Sequence, residues 1–168
     1  LTHIEKALEL NLNAYGKYHP GTAMNYFNKG NIFYEKGQYE IALEFYNTAL
    51  DINKKLFTEK HRSVADVLNQ LGIIYNKKED YDRALICHKD AYDIQIDILG
   101  EDHPDLAITC NNIGNILKYQ KKYETSLKYY QKAVDIKSKY FGTNHPDLAA
   151  YYNNIGINYY NHGNYNSA

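Results

Sequence analysis

Four histidines, His19, His61, His103 and His145, stand 42 residues apart, and imidazole is the commonest side-chain metal ligand. A shared zinc would need ring nitrogens about 2.0–2.1 Å from the ion. Histidines on one face of successive similar units are instead offset by roughly 10 Å, the spacing of packed helices. The column is therefore read as loop and helix-start residues, and no metal or cofactor is expected. A second column is made of amides, Asn28, Gln70, Asn112 and Asn154, with Asn69, Asn111 and Asn153 beside it. Each amide side chain offers an acceptor and two donors. That complements the C=O and N–H of an extended peptide whatever its sequence. Asparagine is a poor helix-interior residue, so aligned amides need partners, and some could instead cap or bridge neighbouring helices. Cys87 and Cys110 read as reduced, mostly buried thiols rather than a disulfide framework. The sequence holds no nucleophile–base pair, phosphate-binding glycine loop or His-Glu-x-x-His helix, so an enzyme is not expected.

The charge balance narrows the partner classes. With 19 Lys+Arg against 20 Asp+Glu, the formal charge is -1, whereas nucleic-acid binding needs a basic excess to neutralise phosphates. A polybasic membrane patch is disfavoured for the same reason. No apolar run approaches the ~20 residues of a membrane span, and no signal-peptide core opens the chain. Hydrophobic residues make up 44%, as in a globular cytoplasmic chain. The chain starts inside a helical pattern and is taken as part of a longer protein.

The 42-residue step organises everything else. Gly30, Gly72, Gly114 and Gly156 follow it, as do Tyr39, Tyr81, Tyr123 and Tyr165, Ala49, Ala91 and Ala133, and Ile52, Ile94 and Ile136. Each period contains two helices. Leu106, Cys110, Ile113 and Leu117 fall on one face of the first, and Leu127, Tyr130, Val134 and Ile136 stripe the second. Pro104 suits a first helical turn, and Asp105 faces the positive end of the helix dipole. Gly16, Gly100 and Gly142 suit left-handed caps, with Thr58 the exception. Lysines near the ends of first helices, Lys77, Lys78, Lys118, Lys121 and Lys122, complement the dipole or, alternatively, form an anion site. Glycine in mid-helix costs roughly 0.8–1 kcal/mol against alanine, so its recurrence implies a close helix approach, with Ala42, Ala84, Ser126 and Ala168 as partners. Helices are predicted near 1–16, 21–36, 39–57, 61–77, 81–99, 103–119, 123–141 and 145–161, in an all-α superhelix without strands. The periods run 19–60, 61–102 and 103–144, with partial units at 1–18 and 145–168, in a single solenoid over 1–168.

These columns resemble the tetratricopeptide repeat, whose 34-residue unit carries a large residue, Leu-Gly, Tyr, Ala, an aromatic and Ala at fixed steps. The second copy matches with Leu68, Leu71, Gly72, Tyr75, Ala84, His88 and Ala91. The third matches with Cys110, Ile113, Gly114, Leu117, Ser126, Tyr130 and Ala133. Lys54, Ile96 and Ser138 replace the family's terminal proline, so the second helix runs about two turns further and the period lengthens. This long form looks most like the repeats of kinesin light chains.

The resemblance implies that the first helices line a concave groove and that the amide ladder faces it. Asn31, Asn115 and their neighbours lie one turn further along, followed by Tyr34, Asn76, Lys118 and Tyr160, which would supply selectivity. The expected function is a scaffold that holds a protein or peptide, without nucleic acid or membrane. The alternative is head-to-tail self-association, because joining Ala168 to Leu1 regenerates the Ala-Leu pairs at Ala42–Leu43 and Ala84–Leu85, and such contacts give open filaments.

Overall fold

The computed structural model describes residues 2–164, so Leu1, Tyr165 and Ala168 lie outside it. Among the described residues there are eight α-helices and no strand: α1 Thr2–Tyr15, α2 Pro20–Glu35, α3 Tyr39–Leu56, α4 Arg62–Lys77, α5 Tyr81–Leu99, α6 Asp105–Tyr119, α7 Tyr123–Phe141 and α8 Leu148–His162. α2 pairs with α3, α4 with α5 and α6 with α7, and each pair packs on the next. The first helices also touch directly, α4 with α6 and α6 with α8. The core crosses repeat boundaries: Leu106, Ala107 and Cys110 of α6 pack with Ala133, Val134 and Ile136 of α7 and with Leu148 and Tyr151 of α8. A single hairpin could not bury these residues, so stability comes from stacking.

The histidine column starts the first helices. His19 Nδ1 accepts from Gly21 N at 3.1 Å and His61 Nδ1 from Ser63 N at 3.2 Å. His103 Nδ1 accepts from Asp105 N at 3.2 Å and His145 Nδ1 from Asp147 N at 3.3 Å. Each imidazole thus satisfies a backbone N–H that the first turn cannot. The aromatic closing the preceding helix covers three of the four: Tyr15 on His19, Phe57 on His61 and Phe141 on His145, with centroids 4.3, 3.9 and 4.8 Å apart. His103→Ala is expected to lower stability by about 0.5–2 kcal/mol, the range for losing a helix cap, and His103→Asn to retain most of it. Urea midpoints check this; equal losses in both variants would show that the nitrogen lone pair is not the cap.

Two expectations need correction. Gly100 and Gly142 do not adopt the left-handed helical cap. Their φ values are 84° and 85°, but ψ is 163° in both, a region open essentially to glycine alone. The chain leaves the helix straight into the extended approach to the next histidine. The second correction concerns the glycine column. A Cβ on Gly30, Gly72 or Gly114 would lie 2.6 Å from the ring of Tyr46, His88 or Tyr130 respectively. The missing side chain makes room for a buried ring on the paired second helix. Ala42, Ala84 and Ser126 are buried as well, and Ser126 Oγ donates to the Gly114 carbonyl at 2.7 Å, as a close partner should, but the rings are what stand nearest the notch; Ala168 lies outside the described residues.

One further column pins successive repeats together. Asn53, Gln95 and Lys137 are buried at equivalent positions of α3, α5 and α7. Asn53 Nδ2 donates to Ser63 O at 3.4 Å, Gln95 Oε1 accepts from Thr109 Oγ1 at 2.7 Å, and Lys137 Nζ donates to Asp147 Oδ2 at 3.0 Å. Each reaches the opening turns of the next first helix. Two of the lysines near the first-helix ends are engaged within the protein: Lys78 pairs with Glu40 of the preceding repeat at 2.8 Å, and Lys122 donates to Gln120.

Candidate functional site

The amide columns divide into two chemical groups. Asn31 Oδ1 accepts from Tyr46 Oη at 2.5 Å, and Asn115 Oδ1 accepts from Tyr130 Oη at 2.8 Å. These two asparagines anchor the buried rings that fill the glycine notches. Asn154 Nδ2 donates to Asn111 Oδ1 at 2.8 Å, bridging α6 and α8. Asn69 Nδ2 donates to Thr109 Oγ1 at 3.3 Å, bridging α4 and α6. Asn28, Gln70 and Asn112 are half-buried and Asn153 is exposed. None of these four has a side-chain hydrogen bond among the described residues.

Asn69 also faces the second repeat's ring position, where histidine replaces tyrosine. Because its Nδ2 donates to Thr109, its Oδ1 accepts, and the proton lies on His88 Nδ1, 2.8 Å away. Thr109 in turn donates to Gln95. A continuous polar chain therefore runs from His88 through Asn69 and Thr109 to Gln95. His88 is buried, and desolvation of the charged form lowers its pKa from 6.5 to about 4.

An open cleft of about 360 Å³ lies over this chain, lined by Phe27 of α2, Asp66, Asn69, Gln70 and Ile73 of α4, Gln95 of α5, and Asp105, Ile108, Thr109 and Asn112 of α6. The structure thus brings Asn69, Gln70 and Asn112 together. Asn28 lies on α2, and Asn111, Asn153 and Asn154 continue the face onto α6 and α8. Of the residues expected to give selectivity, Tyr34 tilts against Tyr39 with centroids 5.8 Å apart. Asn76 Oδ1 is buried without a partner, and Tyr160 is exposed. Lys118 lies over the Tyr119 ring at 5.3 Å, and partial burial lowers its pKa. None of these lines the central cleft.

Sequence reasoning missed Met24, Asp66 and Ile108, which stand one helical turn before Asn28, Gln70 and Asn112. They carry the 42-residue step, and an i, i+4 extension of the amide column would have found them. The thiols are poor nucleophiles: burial pushes Cys87 up to about 11 and Cys110 up to about 12.

A tetratricopeptide-repeat family profile matches residues 1–55, 63–124 and 110–168. The chain belongs to the tetratricopeptide-repeat family. No curated protein matches it in sequence. Among solved structures, BtubC (BKLC) from P. vanneervenii superposes with a TM-score of 0.90 at 23% identity, over 99% of this chain and 66% of that one. The nearly identical TPR-like repeats of the Podosopora anserina putative kinesin light chain give 0.79 at 17% identity, over 95% of this chain and 76% of that one. Aspartyl phosphate phosphatase F from Bacillus subtilis gives 0.81 at 18% identity, over 99% of this chain and 42% of that one. The tetratricopeptide chain thus spans just under two thirds of BtubC and less than half of the phosphatase, and at these identities the likeness is one of fold. Among the described residues no helix is long and apolar enough to cross a membrane.

Proposed function

We propose that this chain is a scaffold that holds an extended peptide segment of a partner protein along α2, α4, α6 and α8, without catalysis of its own. Tetratricopeptide repeats mediate protein–protein interaction or assembly, and the kinesin-light-chain type is typically non-enzymatic. One observation carries the groove reading: Gln70 and Asn112 flank the central cleft with amides that form no hydrogen bond among the described residues. A polar side chain held in a helix without a partner has its full hydrogen-bonding capacity left for a ligand. Bridging by Asn111 and Asn154 supports the same reading, because it braces adjacent first helices into a preorganised face. The reduced thiols suit a cytoplasmic setting.

The informative substitutions are therefore Gln70→Ala and Asn112→Ala rather than changes at the bridging asparagines. Each lost hydrogen bond is worth roughly 0.5–1.5 kcal/mol, so the pair is expected to weaken a groove-bound peptide about five- to a hundredfold. The thermal melt should stay unchanged. Calorimetric titration of peptides selected on the chain measures it, and full retention of affinity would remove the amides from the site. A particle size that grows with concentration in the absence of peptide would favour head-to-tail stacking instead.

A further inference from the structure

The central cleft adjoins a second one, lined by Pro20, Ala23, Met24, Phe27, Asn53, Phe57, Ser63, Asp66 and Val67. The two share Phe27 and Asp66. Their chemistry is unequal. The second is mainly apolar, with Met24 largely exposed at its mouth. Among the described residues the charged side chains lining the two clefts are Asp66 and Asp105, with Arg62 beside them and paired to Asp105 at 3.2 Å.

Asp66 is poorly compensated. Its nearest cation is Arg62 Nε at 4.0 Å, too far for a hydrogen bond, while Arg62 commits its Nη2 to Asp105 at 3.2 Å. No hydrogen bond reaches the Asp66 carboxylate from the described residues. Desolvation and, after it, the Asp105 charge raise its pKa against the opposing pull of Arg62 and His61, while 51% of the side chain stays open to solvent and so to a ligand. The equivalent positions in the other repeats are Met24, Ile108 and Ala150. One carboxylate in an otherwise apolar column marks a single address along the groove.

We infer that the segment held here carries a lysine or arginine, seated at Asp66, next to a bulky apolar side chain seated against Met24 and Phe27. The inference rests on the groove reading and specifies its ligand. Backbone amides of the segment meet Gln70 and Asn112, which carry no sequence preference, so the basic residue fixes register. An acidic segment or a nucleic acid would bring like charge to the Asp66 carboxylate and is disfavoured.

The test pans a displayed library of random linear peptides on the chain and titrates synthetic copies of the selected sequences. Lysine or arginine beside a bulky apolar residue is expected to be enriched. Replacing that cation with glutamine in the peptide should weaken binding about tenfold or more, as for a lost charged hydrogen bond. Asp66→Asn should cost a similar factor, and the two losses should not add, because they remove the same contact. The peptide substitution leaves the protein untouched and so is independent of any folding effect. Groove ligands that lose affinity in the Gln70→Ala, Asn112→Ala protein but ignore Asp66→Asn and contain no shared cation would overturn the inference and keep the groove. If no peptide responds to the amide substitutions, the groove reading falls and this inference with it.

Discussion

Replacing Gly114 with alanine is expected to lower stability by about 1–3 kcal/mol, against the usual helix preference. In an open mid-helix site the same change would stabilise by roughly 0.8–1 kcal/mol. The sign reverses because the new Cβ would sit 2.6 Å from Tyr130 Cε1 and 2.7 Å from Cδ1, whereas carbon atoms settle about 3.5–4.0 Å apart. The ring is buried on all sides, and its hydroxyl is fixed on Asn115. Retreat would therefore break a hydrogen bond as well as disturb the packing. Leucine at the same position should cost about 3 kcal/mol or more. Adding Tyr130→Leu should make Gly114→Ala far less harmful, since the clash and the ring disappear together; urea midpoints of the four proteins in this cycle give the coupling. A raised midpoint for Gly114→Ala alone would show that the ring does not occupy the notch.

Much of the fold was readable because a repeated sequence is measured several times over. The 42-residue step aligned turns, helices and core positions across copies, and most observed helix ends fall within one or two residues of expectation. The largest difference, at the start of α8, arises because His145 caps through Asp147 N and the regular helix begins only after a tight turn at 145–148. Partner identities were not readable. Periodicity shows that Gly114 approaches something, but the facing residue depends on helix rotation, which placed Tyr130 rather than Ser126 over the notch. Asn53, Gln95 and Lys137 are polar positions within apolar stripes. That was a visible signal for a junction, though their partners Ser63, Thr109 and Asp147 follow only from stacking.

The candidate site was legible as a face and not as a set of free groups. Asn31, Asn69, Asn111, Asn115 and Asn154 all spend hydrogen bonds inside the protein, which the alternative of bridging asparagines had allowed. One covariation within the chain could have separated them. Tyr46 and Tyr130 each have an asparagine fifteen residues earlier, Asn31 and Asn115, whereas the equivalent residue before His88 is Ile73. The asparagine is present where a phenol needs an acceptor and absent where an imidazole turns to Asn69 instead. Gln70 and Asn112 have no such match on the second helices.

His88 should make the stability of the array depend on pH between about 6.5 and 4. Unfolded, the imidazole takes a proton near its ordinary value of 6.5; folded, burial delays this to about 4. Below 6.5 the unfolded chain therefore binds more protons, and stability falls as the pH falls. The contribution is fully present above 6.5 and is lost on approaching 4. A difference of this size corresponds to about 3 kcal/mol. Structurally, a second proton on His88 would force a charged ring into the Gly72 notch, with Nε2 at the position where a Cβ would lie 2.6 Å away. His88→Tyr with Ile73→Asn reproduces the combination in the first and third copies and removes the titrating group. The remaining histidines are common to both proteins, so the difference in their stability–pH curves isolates His88. Urea denaturation at a series of pH values should show a steeper acid loss in the parent than in the double variant. Parallel curves between 6.5 and 4 would mean that His88 titrates alike in the folded and unfolded chains.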